Sequence, residues 1–481
     1  MEDPVTIIPI EGTVSLSKPI VDQYLSEAQA AYRTEAYADY TTSVVGNYST
    51  TAARMNDIPL PITLSWTLNG NGNPTYTVTL ATDAAFTENV CTYVTKKTTL
   101  NVYNLLVDTT YYYKVKATVA DGQSFESARA SFKTANTVRW INVDGVRNVR
   151  DIGGWTGLNQ GLVFRGSELN QTQSYGTAIT EEGIRTMCED IGIRTHLDFR
   201  PAASNAPFGS DSPLGEDVTW ANAPLAAFLS AFNAGNGYTT AMKVFTDYDN
   251  YPVYMHCVGG ADRTGTVAFM LEGLCGVDEA DLSIELELTS FSKFGYRYRY
   301  DNSTYIFATV VERVKGYSGN SLQEKFETIF REVYGFSEAE ISNVRAILTQ
   351  NGAVYDFNEN ENGDILPEVF ADGKFAFRLT MRNSKAVSSI KVGNVALDFD
   401  FDPTTSTLTV YTENLENSSV LSGIGTITFD DGAFLRFYIE TPNAERVVSE
   451  IVDGAYEKIF NDGEASANGN DVTGTLGDVH F

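Results

Sequence analysis

From about residue 59 to 137, apolar and polar positions alternate in short runs broken by turn signals such as NGNGNP and ADG. Successive side chains of a strand face opposite ways, so this period of two predicts a small antiparallel β domain over 57–137. Between 138 and 351 the rhythm changes. Apolar runs at 193–200 and 251–257 read as buried strands, and 264–274, 281–290, 322–334 and 338–348 carry helical spacing, the last opening at Ser337 as an N-cap. Strands interleaved with helices predict an α/β domain over 138–352. After the polar, acidic linker NENENGD, alternation returns in FAFRLTM, NVALDFDF, STLTVYT, GTITF and FLRFYIE. These runs predict a second β-sandwich-like domain over 360–445, followed by a helical stretch and a Gly/Asn/Asp-rich tail over 446–481. Residues 1–56 mix apolar runs with a helical-looking stretch at 23–37 and receive no assignment beyond a lead-in. The expected fold is multidomain: a central α/β domain, a mixed sheet flanked by helices, between two small all-β sandwich-like domains.

Residues 105–117 read LLVDTTYYYKVKA. This resembles the late strand and tyrosine corner of a fibronectin type III module, with Trp66 as the buried strand tryptophan and Tyr111 as the corner tyrosine. Val107 departs from the family, which often has Pro there. The resemblance implies a module that spaces or presents a catalytic domain, with protein or glycan as its binding partner, rather than one that performs chemistry.

Composition narrows the function. With 481 residues, several domains are expected, and 43% hydrophobic with 20% charged residues is the balance of a folded chain. A formal net charge of −28 argues against a general binder of nucleic acid or anionic membrane, so an anionic substrate needs a local positive site. No apolar run approaches the roughly 18 to 20 residues of a membrane span. No signal peptide is visible in the opening MEDPVT. Cys91, Cys188, Cys257 and Cys275 lack CxxC or metal-ligand spacing, so neither a disulfide framework nor a metal is expected, and no cofactor. The Lys-poor, Asn/Thr/Tyr-rich surface and the β modules point to a bacterial extracytoplasmic protein.

The chemistry is concentrated in His256 to Gly265, HCVGGADRTG. Thiol-based hydrolysis of a phosphate ester needs a thiolate, donors for three phosphoryl oxygens, and a proton for the leaving group. Backbone N–H groups of Val258, Gly259, Gly260, Ala261, Asp262 and Arg263 can form a nest backed by a helix N-terminus, with Cys257 as nucleophile beneath it. The same donors favour the sulfur as thiolate. Arg263, six residues after Cys257, can grip two phosphoryl oxygens with its planar fork. Thr264 can donate its hydroxyl to the sulfur as leaving group, and His256 orients the loop through its ring. Buried structural roles are expected for the other three cysteines.

This segment matches every fixed position of the protein tyrosine phosphatase signature. The wider resemblance is to the atypical bacterial tyrosine and lipid phosphatases with a DRTG ending, through NVRDIGG at 148–154, VFRGSEL at 163–169, HLDFR at 196–200 and ELELTS at 285–290. Those relatives usually have Lys where this chain has Ala261, which weakens any carry-over of phosphoinositide preference, and an acidic residue near the position of Ser204.

Better-known tyrosine phosphatases take their general acid from an Asp some thirty to forty residues before the cysteine, yet no Asp or Glu lies between Val218 and Phe245. Asp262, inside the loop, is therefore the first candidate acid, with bracing of the loop as its other role; Asp211 and Asp217 follow. Arg150, Asp151 and Arg200 sit at the rim against substrate or form buried ion pairs. The expected activity is hydrolysis of phosphotyrosine, with phosphoserine or phosphothreonine as further substrates, through a phosphocysteine. An inositol polyphosphate or phosphoinositide phosphatase is the alternative, and a catalytically idle binding or adhesion protein the third reading.

Overall fold

The computed structural model describes residues 4–33, 48, 54–69, 73–120, 122–170, 176–206, 208–233, 237–299 and 307–349, and strand segments between 355 and 452. The chain divides into two compact units, one built from Met1–Asn222, Pro252–Phe269 and Asp278–Ala308, the other from Ala223–Tyr251, Met270–Val277 and Thr309–Phe481.

The first unit opens with the predicted β domain. One sheet runs Val5–Ile8, Ile62–Leu68, Thr99–Val102; the other runs Thr13–Val14, Ala130–Thr134, Thr110–Thr118, Thr75–Ala81, Cys91–Thr95, with Ser124–Glu126 beside Thr110–Thr118. The period-two residues Leu64, Trp66, Tyr76, Val78, Tyr113 and Val115 meet in one core. Lead-in residues supply a strand to each sheet, pieces too short for their alternation to be read beforehand. The Tyr111 hydroxyl accepts from the Leu106 N–H at 2.8 Å, closing the corner. Val107 has a use that Pro could not serve. Its N–H donates to Gln160 Oε1 and its carbonyl accepts from Gln160 Nε2, both at 2.9 Å, and a proline has no N–H to give. Arg139 strengthens the same seam, donating to the carbonyls of Leu105 (3.1 Å) and Asn104 (3.0 Å) and pairing with Asp151.

The α/β sheet of this unit is ordered Arg150–Asp151, Val163–Gly166, Val253–His256, Thr195–Asp198, Thr219–Asn222, antiparallel at the first pair and parallel thereafter. Val163–Gly166, Val253–His256 and Thr195–Asp198 are buried throughout, the last two within the runs read as buried strands, and all without alternation of buried and exposed positions. Val253–His256 is the central strand, so its C-terminal end delivers Cys257 to the middle of the sheet edge, where open parallel sheets place ligands. The helix Pro19–Tyr32 packs Val21, Tyr24, Leu25 and Ala28 against Ile284 and Leu288. The hydroxyls of Tyr24 and Tyr32 both donate to the buried Glu287. It starts and stops earlier than the expected 23–37, and residues 34–37 lie outside the described residues.

In the second unit, Ser337 caps Glu338–Leu348 as its spacing predicted, accepting from the Glu340 N–H while the Glu340 carboxylate accepts from Ser337. The C-terminal strands form two five-stranded sheets. The stretch expected to turn helical after 446 opens instead as the strand Val447–Val452, paired with Phe434–Glu440. The open edge of that strand takes up VVSEIV although its apolar residues come in pairs rather than in alternation, and the pairing shifts register between Tyr438 and Ile439. The remaining tail lies outside the described residues. Among the described residues, no helix is long and apolar enough to cross a membrane.

Candidate active site

The strand Val253–His256 ends in a tight loop that turns directly into the helix Asp262–Leu274. Gly260 makes the turn possible: its φ is +65°, and a Cβ there would lie 2.1 Å from the Gly166 carbonyl oxygen.

Every carbonyl from Cys257 to Gly260 is taken on the outside of the loop. Cys257 O accepts from His256 Nδ1 at 2.7 Å and Val258 O from the Glu168 N–H at 2.9 Å. Gly259 O accepts from Asn148 Nδ2 at 3.1 Å, and Gly260 O from Arg165 Nη2 at 2.6 Å. A peptide plane carries its N–H opposite its C=O, so outward carbonyls turn the following amides inward. None of the N–H groups from Val258 to Arg263 donates to a protein acceptor among the described residues. Cys257, 4% exposed, lies at the start of this row of donors. Arg263 spends Nη1 on the Phe199 carbonyl, at 3.1 Å. The Thr264 hydroxyl is buried without a hydrogen-bond partner, so the expected bond to sulfur is not made in this state.

The loop rests on buried ion pairs. Arg165 Nη1 and Arg150 Nε both bond Glu285 Oε1, at 2.9 and 2.8 Å. One carboxylate thus joins NVRDIGG, VFRGSEL and ELELTS to the loop carbonyls. The rim placement of Arg150, Asp151 and Arg200 is corrected by this packing. All three are at most 1% exposed: Arg150 on Glu285, Asp151 on Arg139, Arg200 on Asp198 and Glu168. Burial raises the Asp151 carboxyl, the Arg139 guanidinium opposing it.

Beneath the loop, His196 Nε2 and His256 Nε2 are 2.5 Å apart. His256 Nδ1 faces a carbonyl and so carries hydrogen; its Nε2 accepts from His196 Nε2–H, whose Nδ1 accepts from Ser212. Donor atoms of His196, Asp198 and His256 lie within 4.8 Å of one another, but the two nitrogens are closer than two ligands on one cation, and Asp198 is committed to Arg200. The arrangement is a chain of hydrogen bonds. Burial lowers both imidazoles, His196 well below its ordinary value, with Arg200 adding to it. Burial would raise Asp198, yet His256 and Arg200 outweigh it and hold it at about 2. The third histidine, His480, lies outside the described residues.

The unfolded chain therefore binds protons that the folded pair refuses. Stability is full above the ordinary imidazole value and falls as pH drops below it, by up to about 1.4 kcal/mol per pH unit for each imidazole. Thermal midpoints between about pH 7.5 and 5.5 are expected to decline, less steeply in His196→Gln; an equal slope in that variant removes the pair as the cause.

Asp262 is bound through both oxygens by Arg297, Nε at 2.5 Å and Nη2 at 3.0 Å. The bracing role is thus occupied in this state. Asp217 is exposed and lies near Cys188, whose thiol is raised by burial, Glu189 and Asp217; Asp211 is exposed. Among the described residues, neither carboxylate bonds the loop. Sequence reasoning missed Arg165, Glu285, Asn148 and Arg297 as supports. The quoted motifs signalled that three of them matter, but not what they touch.

Residues 141–350 match the tyrosine phosphatase family. The chain is also similar, at 12% identity and TM-score 0.21, to the core catalytic domain of a PP-IP phosphatase from S. cerevisiae in complex with citrate, over 37% of this chain and 86% of that one. At 9% identity and TM-score 0.16 it is similar to the twitchin kinase region from C. elegans, over 79% of this chain and 96% of that one. At these scores neither superposition informs the fold. No curated protein sequence matches the chain.

Proposed function

We propose that the protein hydrolyses aryl phosphomonoesters, phosphotyrosine foremost and phosphoserine or phosphothreonine more slowly, through a phosphocysteine at Cys257. The observation that carries this reading is the loop with its carbonyls bonded outward and its amides from Val258 to Arg263 left for an anion. The Cys257 sulfur attacks phosphorus, the S–P bond forms and the ester P–O bond breaks, and the leaving oxygen takes a proton. Water then attacks phosphorus, the S–P bond breaks, and thiolate and inorganic phosphate are released. Asp262 is the proton donor within the loop, and the step requires one of its bonds to Arg297 to open. Phe294 supports an aromatic substrate: its ring lies where a Cβ on Gly259 would come within 2.9 Å, beside the cradle.

Lys293, close enough to Arg147 and Asp57 for its charge to feel both, favours the second reading, an inositol polyphosphate. Arg147 is already spent on Asp57, which leaves that reading the poorer supply of cations. A panel comparing phosphotyrosine, phosphoserine and phosphothreonine peptides with inositol polyphosphates should give the highest kcat/KM for phosphotyrosine. A preference for an inositol phosphate would replace the first reading with the second, and turnover of none would remove both.

A further inference from the structure

Asp57 precedes the first β domain's main strands and lies outside the segment matching the phosphatase family. Its side chain is nevertheless buried, 1% exposed as a residue. It accepts from Arg147 Nη2 and, through Oδ2, from Arg147 Nε at 3.2 Å and from the Asn148 N–H at 2.7 Å. Asn148 adopts φ +60°, a conformation that costs a residue with a Cβ and persists where its surroundings hold it. The side chain of Asn148 is oriented without ambiguity. Its Oδ1 accepts from Arg150 Nη1 at 2.7 Å, so Nδ2 is the end that reaches Gly259 O at 3.1 Å.

We propose that Asp57 is a positioning residue for the phosphate cradle, acting through Asn148 on the Gly259 carbonyl. The peptide that carries the Gly259 carbonyl also carries the Gly260 N–H, on its opposite side. Loss of the Asn148 bond lets that plane rotate and takes one donor out of the cradle. Removing one such donor from a site that stabilises developing charge lowers kcat by about 10²–10³. A loop weakened but not fixed in the wrong state should lose somewhat less, roughly 10- to 100-fold. The segment leading into the strand Ile62–Leu68 is then part of the catalytic apparatus, and the family-matching segment alone lacks one of its supports.

This rests on the loop being the phosphate cradle, and the test separates the two claims. In the full chain, Asp57→Ala, Asn148→Gly and the double variant are compared with the unaltered protein for kcat and KM on p-nitrophenyl phosphate and for binding of orthovanadate. Glycine at 148 keeps the positive φ available while removing the side chain. If Asp57 acts through Asn148, each single change lowers kcat more than it raises KM, vanadate binding weakens in step, and the double variant is no slower than the worse single one. Asp57→Asn, which keeps one acceptor, should fall between Asp57→Ala and the unaltered protein, and it serves alone, by the same criteria, should Asp57→Ala fail to fold. Unchanged kcat in the Asp57 variants, or losses that multiply in the double variant, overturns the proposal. An unaltered protein without activity or vanadate binding overturns the cradle itself.

Discussion

Cys257→Ser should lose turnover of a small aryl phosphate by roughly 10⁴-fold or more while still binding phosphate. The cradle is made by backbone amides and by partners that this change does not touch: Glu168, Asn148, Arg165 and His256 hold the loop from outside. A hydroxyl in place of the thiol is a weaker nucleophile near neutral pH and a poorer leaving group when water attacks. Binding and chemistry should therefore separate, with steady-state rates collapsing and calorimetric binding of inorganic phosphate persisting. Turnover equal to that of the unaltered protein would remove the phosphocysteine mechanism.

Arg165→Met is expected to have the largest effect on stability. Arg165 is fully buried and joins Glu285 Oε1 to the Gly260 carbonyl, with a longer contact at 3.3 Å to Ala261 O. Methionine fills similar space but leaves Glu285 with Arg150 alone and the Gly260 carbonyl unpaired in the interior. Leaving that buried carbonyl without a donor costs about 1–3 kcal/mol, and Glu285 loses one of its two cations besides. The urea midpoint should fall accordingly. At temperatures where the variant is still folded, turnover should also drop, since the carbonyl that fixes the Ala261 amide is released. A variant as stable and as active as the original would show that the ion-pair network does not hold the loop.

The signature at 256–265 was legible because its function is local. A cradle of consecutive amides needs glycine where φ is positive, a nucleophile at its foot and an arginine at the start of the following helix, and all of these fall within ten residues. The α/β rhythm was legible for a related reason, as strands buried on both faces lose the polar-out alternation and stand apart from helical spacing, even where they carry buried charges such as Arg165 and Asp198. The opening of the stretch expected to be helical after 446 is a strand instead, because VVSEIV, whose paired apolar residues do not alternate, is taken up by the open edge of Phe434–Glu440. Arg150, Asp151 and Arg200 show the same limit within the site. A buried arginine and a rim arginine look alike in a sequence, and what separates them is a carboxylate that lies 135 positions from Arg150 in the case of Glu285.

The sequence by itself determined the reactive group and the turn that surrounds it, because those depend on backbone geometry and on neighbours along the chain. The tertiary structure decided what holds that turn in place. Asn148, Arg165 and Arg297 reach the loop from separate elements, Asp57 stands behind Asn148 and Glu285 behind Arg165, and the arginine that meets Asp262 is 35 residues away. Desolvated charges need partners wherever the fold brings them, and no spacing rule along the chain records which partner that will be.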